Sequence, residues 1–354
     1  MKKTTENNQL INKTLEKLSS GTGKILVIQT AFLGDVILVT PLLRSIRNTF
    51  PNSQLSVVVI PQCTDVLQSQ ADQIIVFDKR NRSMIKEKWN ELVNKIRYEK
   101  FDVAFIPHRS LRSGLTAYKA GIPCRIGFKR GAGSFYHTHK VRYRFNEYEG
   151  NRNLRLIELL TKHSYNGLPE LFPTHQNEET ADKILDRLGL VSNEFIVFAP
   201  GSVWTSKRWL IKHYQELSAR FEKEYSLQVL TIGGGEDREI CASVVSRPER
   251  NLAGELSPLG SAAIVARARF FISGDSAPAH IATAMGTRQV IIFGSTSPRF
   301  GFVPPVSTAR IIQTKLWCRP CSNHGRNYCI NWGSYKCLKM VTPDFVIDAV
   351  NDWV

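Results

Sequence analysis

Asp35, just after the first apolar run of the chain, places a carboxylate at the start of a predicted helix. Residues 24–29 (KILVIQ) predict a strand, followed by a short loop (TAFLGD) and a helix over residues 36–50. Gly34 permits a tight turn, and the loop lacks both the G-x-G-x-x-G spacing of a dinucleotide site and the lysine of a P-loop. Asp35 also fits a helix N-cap, because Asp often accepts hydrogen bonds from the first amides of a helix.

A second loop places hydroxyl groups beside cations. Ser202, Thr205 and Ser206 precede Lys207, after an apolar run at residues 195–199. Backbone amides and hydroxyls can donate hydrogen bonds to phosphate oxygens, and a cation offsets their charge. The loop therefore suits a diphosphate, although an ordinary surface loop can have the same composition.

A run of three glycines follows another predicted strand and precedes Glu236. Backbone at Gly233 and Gly234 can approach a ligand closely because no side chain intervenes. Glu236 can accept hydrogen bonds from sugar hydroxyls. A glycine run alone is more often a turn than a site.

The sharpest pattern is FFISGDSAPAH, which predicts a strand, a turn at Gly274, Asp275 and Ser276, and a helix that begins near Ala277. The first amides of a helix form an anion site that suits a nucleotide pyrophosphate. His280 lies one turn into the helix and can face the same phosphate. A lone histidine is, however, more often a core residue.

These loops all follow strands in an alternating strand and helix pattern, which indicates parallel sheets covered on both faces. The pattern breaks at a segment that contains Gly and Pro, residues 167–174, and then begins again. The sequence thus predicts an α/β protein with two Rossmann-like domains, whose ligands bind at the carboxyl ends of the strands. The expected divisions are an N-terminal extension, two domains and a C-terminal helix that packs back on the first domain: residues 1–20, 21–172, 173–342 and 343–354.

Together the loops resemble those of glycosyltransferase family 9, the heptosyltransferases. The matching segments run in family order from residue 24 to about residue 338. They are KILVIQTAFLGDVILVTPLLRSIRNTFP, FAPGSVWTSKRW, TIGGGEDRE, NLAGELS, FFISGDSAPAHIATAMGT and IIFGSTSP, followed by CRPC and CL. The resemblance implies a GT-B fold, in which two doubly wound parallel-sheet domains face each other across a cleft. The first domain would bind the acceptor and the second the nucleotide sugar.

The resemblance also implies an inverting, metal-independent enzyme that transfers heptose from ADP-L-glycero-D-manno-heptose. Its acceptor would be the lipid A-Kdo-heptose inner core of lipopolysaccharide. Asp35 matches the family's proposed general base, and Lys207 matches the lysine that contacts the donor phosphates. The expected donor site consists of Gly34, Ser202, Thr205, Ser206, Lys207, Gly233, Gly234, Glu236, Gly274, Asp275, Ser276, Ala277 and His280. We expect no cofactor besides this co-substrate, no metal ion and a monomeric protein.

Charge suggests where the acceptor binds. The net charge is +16, and residues 97–155 contain 13 lysines and arginines against four acidic residues. Basic surfaces bind polyanions, and lipid A and Kdo carry phosphates and carboxylates. On charge alone, the candidate acceptor contacts are Arg109, Arg112, Lys129 and Arg130.

Two alternative functions are compatible with this composition. A family 9 enzyme can use another sugar or a protein acceptor. A nucleic-acid-binding protein would also be basic, but the sequence has no helix-turn-helix, zinc-finger or RNP-like motif, and we expect no nucleic-acid partner.

Four of the seven cysteines, Cys318, Cys321, Cys329 and Cys337, crowd into 20 residues. Their spacing is close to that of a four-sulfur zinc site, but the second pair is not C-x2-C, and reduced structural thiols are the favoured alternative. The chain has no apolar run long enough to span a bilayer and no secretory signal. We therefore expect a cytoplasmic protein that associates peripherally with the inner face of the cytoplasmic membrane.

Overall fold

The computed structural model describes residues 2–79 and 84–354, without the side chains of residues 2–7. Met1, which belongs to the expected N-terminal extension, lies outside the described residues. The chain divides into two compact units, Met1–Pro169 and Glu170–Val354.

The first unit is built on a six-stranded parallel sheet with the order β3-β2-β1-β4-β5-β6. This is the order of a doubly wound Rossmann fold. The central strands are almost entirely buried because their sequences are nearly continuous apolar runs. The strands are β1 (Lys24–Ile28), β2 (Gln54–Val59), β3 (Gln73–Val76), β4 (Val103–Ile106), β5 (Cys124–Phe128) and β6 (His139–Val141). The helices are α1 (Lys2–Ser19), α2 (Leu33–Ile37), α3 (Thr40–Thr49), α4 (Ile85–Glu99), α5 (Leu111–Lys119) and α6 (Glu149–Thr161).

The second unit has a five-stranded parallel sheet with the order β11-β10-β9-β7-β8. Its strands are β7 (Phe195–Ala199), β8 (Gln228–Thr231), β9 (Phe271–Gly274), β10 (Gln289–Phe293) and β11 (Ala309–Gln313). Its helices are α7 (His175–Leu188), α8 (Ile211–Glu224), α9 (Arg238–Ala242), α10 (Pro258–Arg267), α11 (Ala277–Ala284), α12 (Lys336–Lys339) and α13 (Pro343–Val350). The prediction of two parallel-sheet α/β units is confirmed.

Each sheet has a point where the strand order reverses, between β1 and β4 in the first unit and between β7 and β9 in the second. Ligands of open α/β sheets bind outside the carboxyl ends of the strands at such points. The loop after β1 carries Asp35, and the loops after β7 and β9 carry Lys207 and Asp275. The topology therefore brings the candidate residues of each unit to its ligand-binding edge.

The single helix predicted over residues 36–50 is in fact two helices, α2 and α3. The chain turns at Leu38 and Val39, and Pro41 lies in the first turn of α3. Proline lacks the N–H that a continuous helix would need at that position, so it favours a new helix start.

The C-terminal helix α13 packs in the core of the second unit, and its expected packing on the first domain stays a prediction. Val346, Ile347 and Val350 of α13, with Trp353 after it, belong to the core of the second unit. They lie there with Phe270 and other strand and helix residues of the same unit, because α13 runs beside α8 and the β10 and β11 strands. None of the described helices is both long and apolar enough to cross a bilayer.

Candidate functional site

The centre of the second unit's candidate site is an ion pair between two of the predicted residues. Lys207 Nζ lies 2.8 Å from Asp275 Oδ2, and both side chains are largely buried. Thr296 Oγ1 donates a second hydrogen bond, of 2.7 Å, to the same carboxylate oxygen. Burial raises the pKa of Asp275, but the Lys207 ammonium and these hydrogen bonds outweigh it, so the pKa falls below its usual value. The carboxylate is therefore ionised and holds Lys207 in place.

The start of α11 lies directly after Asp275. Ser276 is its N-cap residue, with extended backbone (φ −149°, ψ 174°), and its side chain makes no capping hydrogen bond. Pro278 has no N–H, and the Ala279 amide donates to Ser276 O at 3.1 Å. Ala277 thus supplies the first amide of this turn. The helix start therefore offers an anion fewer available amides than the sequence alone suggested.

Gly274 allows the two loops to touch. A Cβ atom at Gly274 would lie 2.6 Å from the carbonyl oxygen of Lys207, closer than side-chain carbons approach backbone. The glycine is therefore needed for the close packing of β9 against the Lys207 loop.

The hydroxyls of the Lys207 loop are occupied within the protein. Ser206 is buried, and its Oγ lies 2.8 Å from Ser295 Oγ and accepts from the Arg326 amide at 2.8 Å. Thr205 Oγ1 donates to Arg326 O at 3.4 Å, and Ser202 Oγ accepts from a backbone amide of its own loop. These hydrogen bonds shape the loop that presents Lys207, and the contacts of the three side chains with the donor stay a prediction.

The glycine run after β8 lies against the loop after β7. A Cβ at Gly201 would come within 2.2 Å of the Asp237 carboxylate, and Asp237 Oδ2 accepts from the Gly234 amide at 3.2 Å. A Cβ at Gly233 would lie 2.8 Å from the Cβ of Asp237. Glu236 is exposed beside them. Sequence reasoning missed Asp237, whose only signal was its place after Glu236.

His280 is buried below the ion pair. Burial is the main cause that lowers its pKa to about 4; the Asp275 carboxylate opposes this shift, and Lys207 adds to it. The imidazole is therefore neutral at physiological pH. The structure brings His280 close to Asp275 and Lys207 within the protein interior.

In the first unit, Asp35 lies in the first turn of α2 and is half-buried. The N-cap residue of that helix is Phe32, so the capping alternative for Asp35 is wrong. The helix begins earlier than the sequence pattern indicated. Gly34 beside it is buried.

A buried group of charged side chains that the sequence analysis missed lies near Asp35. Glu149 Oε2 lies 2.5 Å from Arg152 Nη2 and accepts from the Tyr143 hydroxyl at 3.1 Å. Burial raises the pKa of Glu149; Arg152 opposes this, and the negative charge of nearby Asp35 adds to it. The guanidinium of Arg109 lies 4.0 Å from the centre of the Tyr143 ring. This group of side chains fixes Arg109, a predicted acceptor contact, on the same edge as Asp35.

The loop after β4 contributes a histidine to this edge. His108 Nδ1 lies 3.0 Å from Thr30 Oγ1 and 3.1 Å from Ser113 Oγ. Burial, together with the charges of Lys79 and Arg109, lowers its pKa to about 4. Lys79 Nζ donates to Thr30 O at 2.7 Å. The only sequence signal for His108 was its position at the end of a strand.

The other predicted acceptor contacts are more exposed. Arg112 lies in the first turn of α5, with its guanidinium 5.7 Å from the Phe77 ring. Lys129 and Arg130 follow β5, and Arg130 lies 4.7 Å from the Phe145 ring. All three carry charge toward solvent.

All seven cysteines are free thiols, and among the described residues no group of three or more His, Cys, Asp or Glu side chains is arranged to hold a metal ion. The Cys318, Cys321 and Cys329 thiols are close enough to raise the pKa of Cys337, after burial, which is the larger cause. The cysteine-rich segment is therefore folded back on itself.

Two solved structures of glycosyltransferases share this architecture. A glycosyltransferase family 9 protein from Veillonella parvula DSM 2008 superposes with a TM-score of 0.79 at 23% identity, over 94% of this chain and 97% of that one. Escherichia coli ADP-heptose lps heptosyltransferase II superposes with a TM-score of 0.74 at 22% identity, over 93% and 98%. The predicted GT-B fold is confirmed.

Comparison of the sequence with known families and proteins shows the family to which the chain belongs. The model of glycosyltransferase family 9 (heptosyltransferase) matches residues 89–329. Lipopolysaccharide heptosyltransferase 2 of Escherichia coli (strain K12) is 28% identical over 309 residues, which cover 82% of this chain and 88% of the relative. The chain belongs to glycosyltransferase family 9, and it is a glycosyltransferase.

Proposed function

We propose that this enzyme transfers a heptose from ADP-L-glycero-D-manno-heptose to the inner core of lipopolysaccharide, with inversion at the anomeric carbon. The ion pair of Lys207 and Asp275 at the start of α11 is the observation that carries the proposal. The names of the relatives support the sugar, since both Escherichia coli proteins are named as heptosyltransferases, one of them with ADP-heptose.

The donor diphosphate would bind between Lys207 and the first amide of α11. A phosphate there gains a cation that Asp275 already holds in position, and the helix start adds its partial positive charge. These groups stabilise the negative charge that develops on the departing ADP, because they are oriented before the reaction begins. Glu236, exposed beside the glycine run, would accept hydrogen bonds from the sugar.

Asp35 would act as the general base. The acceptor hydroxyl attacks the anomeric carbon on the face opposite the diphosphate, its proton passes to the Asp35 carboxylate, and the bond to the phosphate oxygen breaks with both electrons. One displacement of this kind inverts the anomeric centre. The negative charge of Asp35 adds to the raised pKa of Glu149, so the two carboxyl groups are close enough to interact.

Arg109, Arg112, Lys129 and Arg130 would bind phosphates and carboxylates of a lipid A-Kdo acceptor. Tyr143 and the Glu149–Arg152 pair hold Arg109 in position. The positive charge that the transfer needs comes from Lys207 and the helix start, so the proposal includes neither a metal ion nor a further cofactor. We further propose that the protein works as a monomer in the cytoplasm, at the inner face of the cytoplasmic membrane.

ADP release, followed with each donor and acceptor in turn, tests the function. We expect ADP to be released only when both ADP-heptose and a lipid A-Kdo acceptor are present. The acceptor is tested both with and without a first heptose. UDP- and GDP-sugars and a protein acceptor are the controls. Release with one of these and none with ADP-heptose would assign the enzyme to another family 9 activity.

A further inference from the structure

The segment from Thr314 to Met340, which we call the aromatic segment, exposes large apolar side chains that have no role in the proposed transfer reaction. Trp317 is 87% exposed and Trp332 98% exposed. Tyr328 and Ile330, between them in sequence, are 58% and 44% exposed. Four large apolar side chains exposed within one short segment favour a binding partner.

The charge of the aromatic segment indicates what that partner is. Residues 314–340 contain no Asp or Glu, but they include five lysines and arginines. Lys315, Lys336 and Lys339 of this segment are exposed. Tryptophan and tyrosine favour the boundary between lipid headgroups and acyl chains, and lysines near it are attracted to anionic lipids.

The aromatic segment is tied to the loop that presents Lys207. The Arg326 amide donates to Ser206 Oγ at 2.8 Å, and the Ser206 amide donates to Arg326 O at 3.0 Å. Nearer its start, Arg319 Nη2 donates to Thr296 O at 3.0 Å and the Cys321 amide donates to Ser295 O at 3.0 Å. These hydrogen bonds join residues 319–326 of the segment to the candidate donor site.

We propose that the aromatic segment docks the enzyme on an anionic lipid bilayer, with Trp317 and Trp332 entering the headgroup region and the lysines contacting acidic headgroups. The inference rests on the proposed function in so far as the acceptor is a lipid. It adds a specific surface, on the second unit rather than on the basic stretch of the first.

Sedimentation with vesicles that contain neither donor nor acceptor tests the surface separately from the reaction. The vesicles are phosphatidylcholine alone, or phosphatidylcholine with about one third phosphatidylglycerol. We expect the protein to bind the anionic vesicles and to bind neutral ones much more weakly. The double variant Trp317→Ala/Trp332→Ala should bind anionic vesicles about tenfold more weakly, because both apolar anchors are lost.

A matched control is Tyr98→Ala/Phe135→Ala, which removes two exposed aromatic side chains of the first unit (86% and 82% exposed). It should bind as the parent does. The variant Lys336→Gln/Lys339→Gln should lose binding to anionic vesicles and show a weaker dependence on salt. All variants should melt near the parent temperature and keep their transfer rate on a water-soluble, core-truncated acceptor.

Parent-like vesicle binding by the double tryptophan variant would overturn the proposal. A second result would also overturn it. If light scattering showed that the parent is an oligomer and the double tryptophan variant a monomer, a second copy of the chain would be the partner that covers the aromatic segment. Vesicle binding without any sugar transfer would instead contradict the proposed function and leave the docking surface standing.

Discussion

Lys207 and Asp275 pair across 2.8 Å at the edge of the second sheet where the strand order reverses, and both side chains are largely buried. The pair gives Lys207 two roles. It compensates a buried carboxylate, and it presents a cation beside the start of α11. We therefore expect a substitution of Lys207 to change stability through Asp275 and, under the proposed function, to change donor binding as well.

Lys207→Ala should weaken ADP binding and slow transfer together, because the cation acts on the diphosphate in both the bound and the transition state. It should also lower the free energy of unfolding by about 3 kcal/mol or more, since Asp275 is left buried without its partner. Calorimetry with ADP and urea denaturation measure the two effects. Lys207→Ala/Asp275→Asn should recover much of the stability but not ADP affinity, and Lys212→Ala, at an exposed lysine of α8, is the control. Recovery of ADP affinity in the double variant would remove Lys207 from the donor site.

Ala277→Leu should reduce ADP affinity severely while changing stability by about 1 kcal/mol or less. Ala277 is half-exposed at the first turn of α11, so a larger side chain blocks an approaching phosphate without overfilling the core. Ala242→Leu, at an exposed alanine of α9, is the matched control. A variant that melted far below the parent and kept ADP affinity in its folded fraction would show that the α11 start is only a packing element.

His280→Gln should flatten the pH dependence of stability between about pH 4 and 6.5. Burial lowers the pKa of His280 from 6.5 to about 4 in the folded protein. In that window the unfolded chain binds a proton that the folded chain does not, so stability falls as the pH drops and is fully present above 6.5. Between pH 5 and pH 7.5 the difference amounts to about 2 kcal/mol. Urea midpoints at pH 5 and pH 7.5 measure it, with His175→Gln, at an exposed histidine, as control. An unchanged slope in His280→Gln would show that His280 is accessible to protons in the folded state.

Asp35→Asn should leave ADP binding intact and lower turnover by a factor of about 10² to 10⁴, the usual contribution of a general base. Asparagine keeps the size of the side chain but cannot accept the proton. Glu91→Gln, on the exposed side of α4, is the control for loss of a carboxylate. Parent-like turnover in Asp35→Asn would exclude it as the base.

The strands and most helices could be predicted from the sequence because apolar runs and turn residues are local signals. The split between α2 and α3 was missed, although Pro41 marks it, because the apolar pattern continues across the turn. The packing of α13 could not be predicted, since an amphipathic helix does not specify which apolar surface it covers.

Within the candidate site, sequence reasoning found the charged residues that follow strands, and it missed their partners. Asp35 and Lys207 stand out because they end recognisable loops. Glu149 and Thr296 become visible only when the fold brings distant segments together, Glu149 to the Asp35 edge and Thr296 to Asp275. Sequence reasoning could not foresee that the Ser206 hydroxyl joins two loops through Ser295. Composition does not distinguish a hydroxyl that donates to a phosphate from one that bonds to another loop.

The most direct test of the central claim is the mass and anomeric configuration of the product formed from ADP-heptose and a lipid A-Kdo acceptor that carries one heptose. The proposal predicts that the acceptor gains the mass of one heptose, which mass spectrometry would record. It also predicts that the new linkage has the anomeric configuration opposite to that of the sugar in the donor, which NMR would record. A product with the donor's configuration would contradict single displacement with Asp35 as base. An unchanged acceptor mass, with this and the heptose-free acceptor alike, would contradict the proposed heptosyltransferase activity itself.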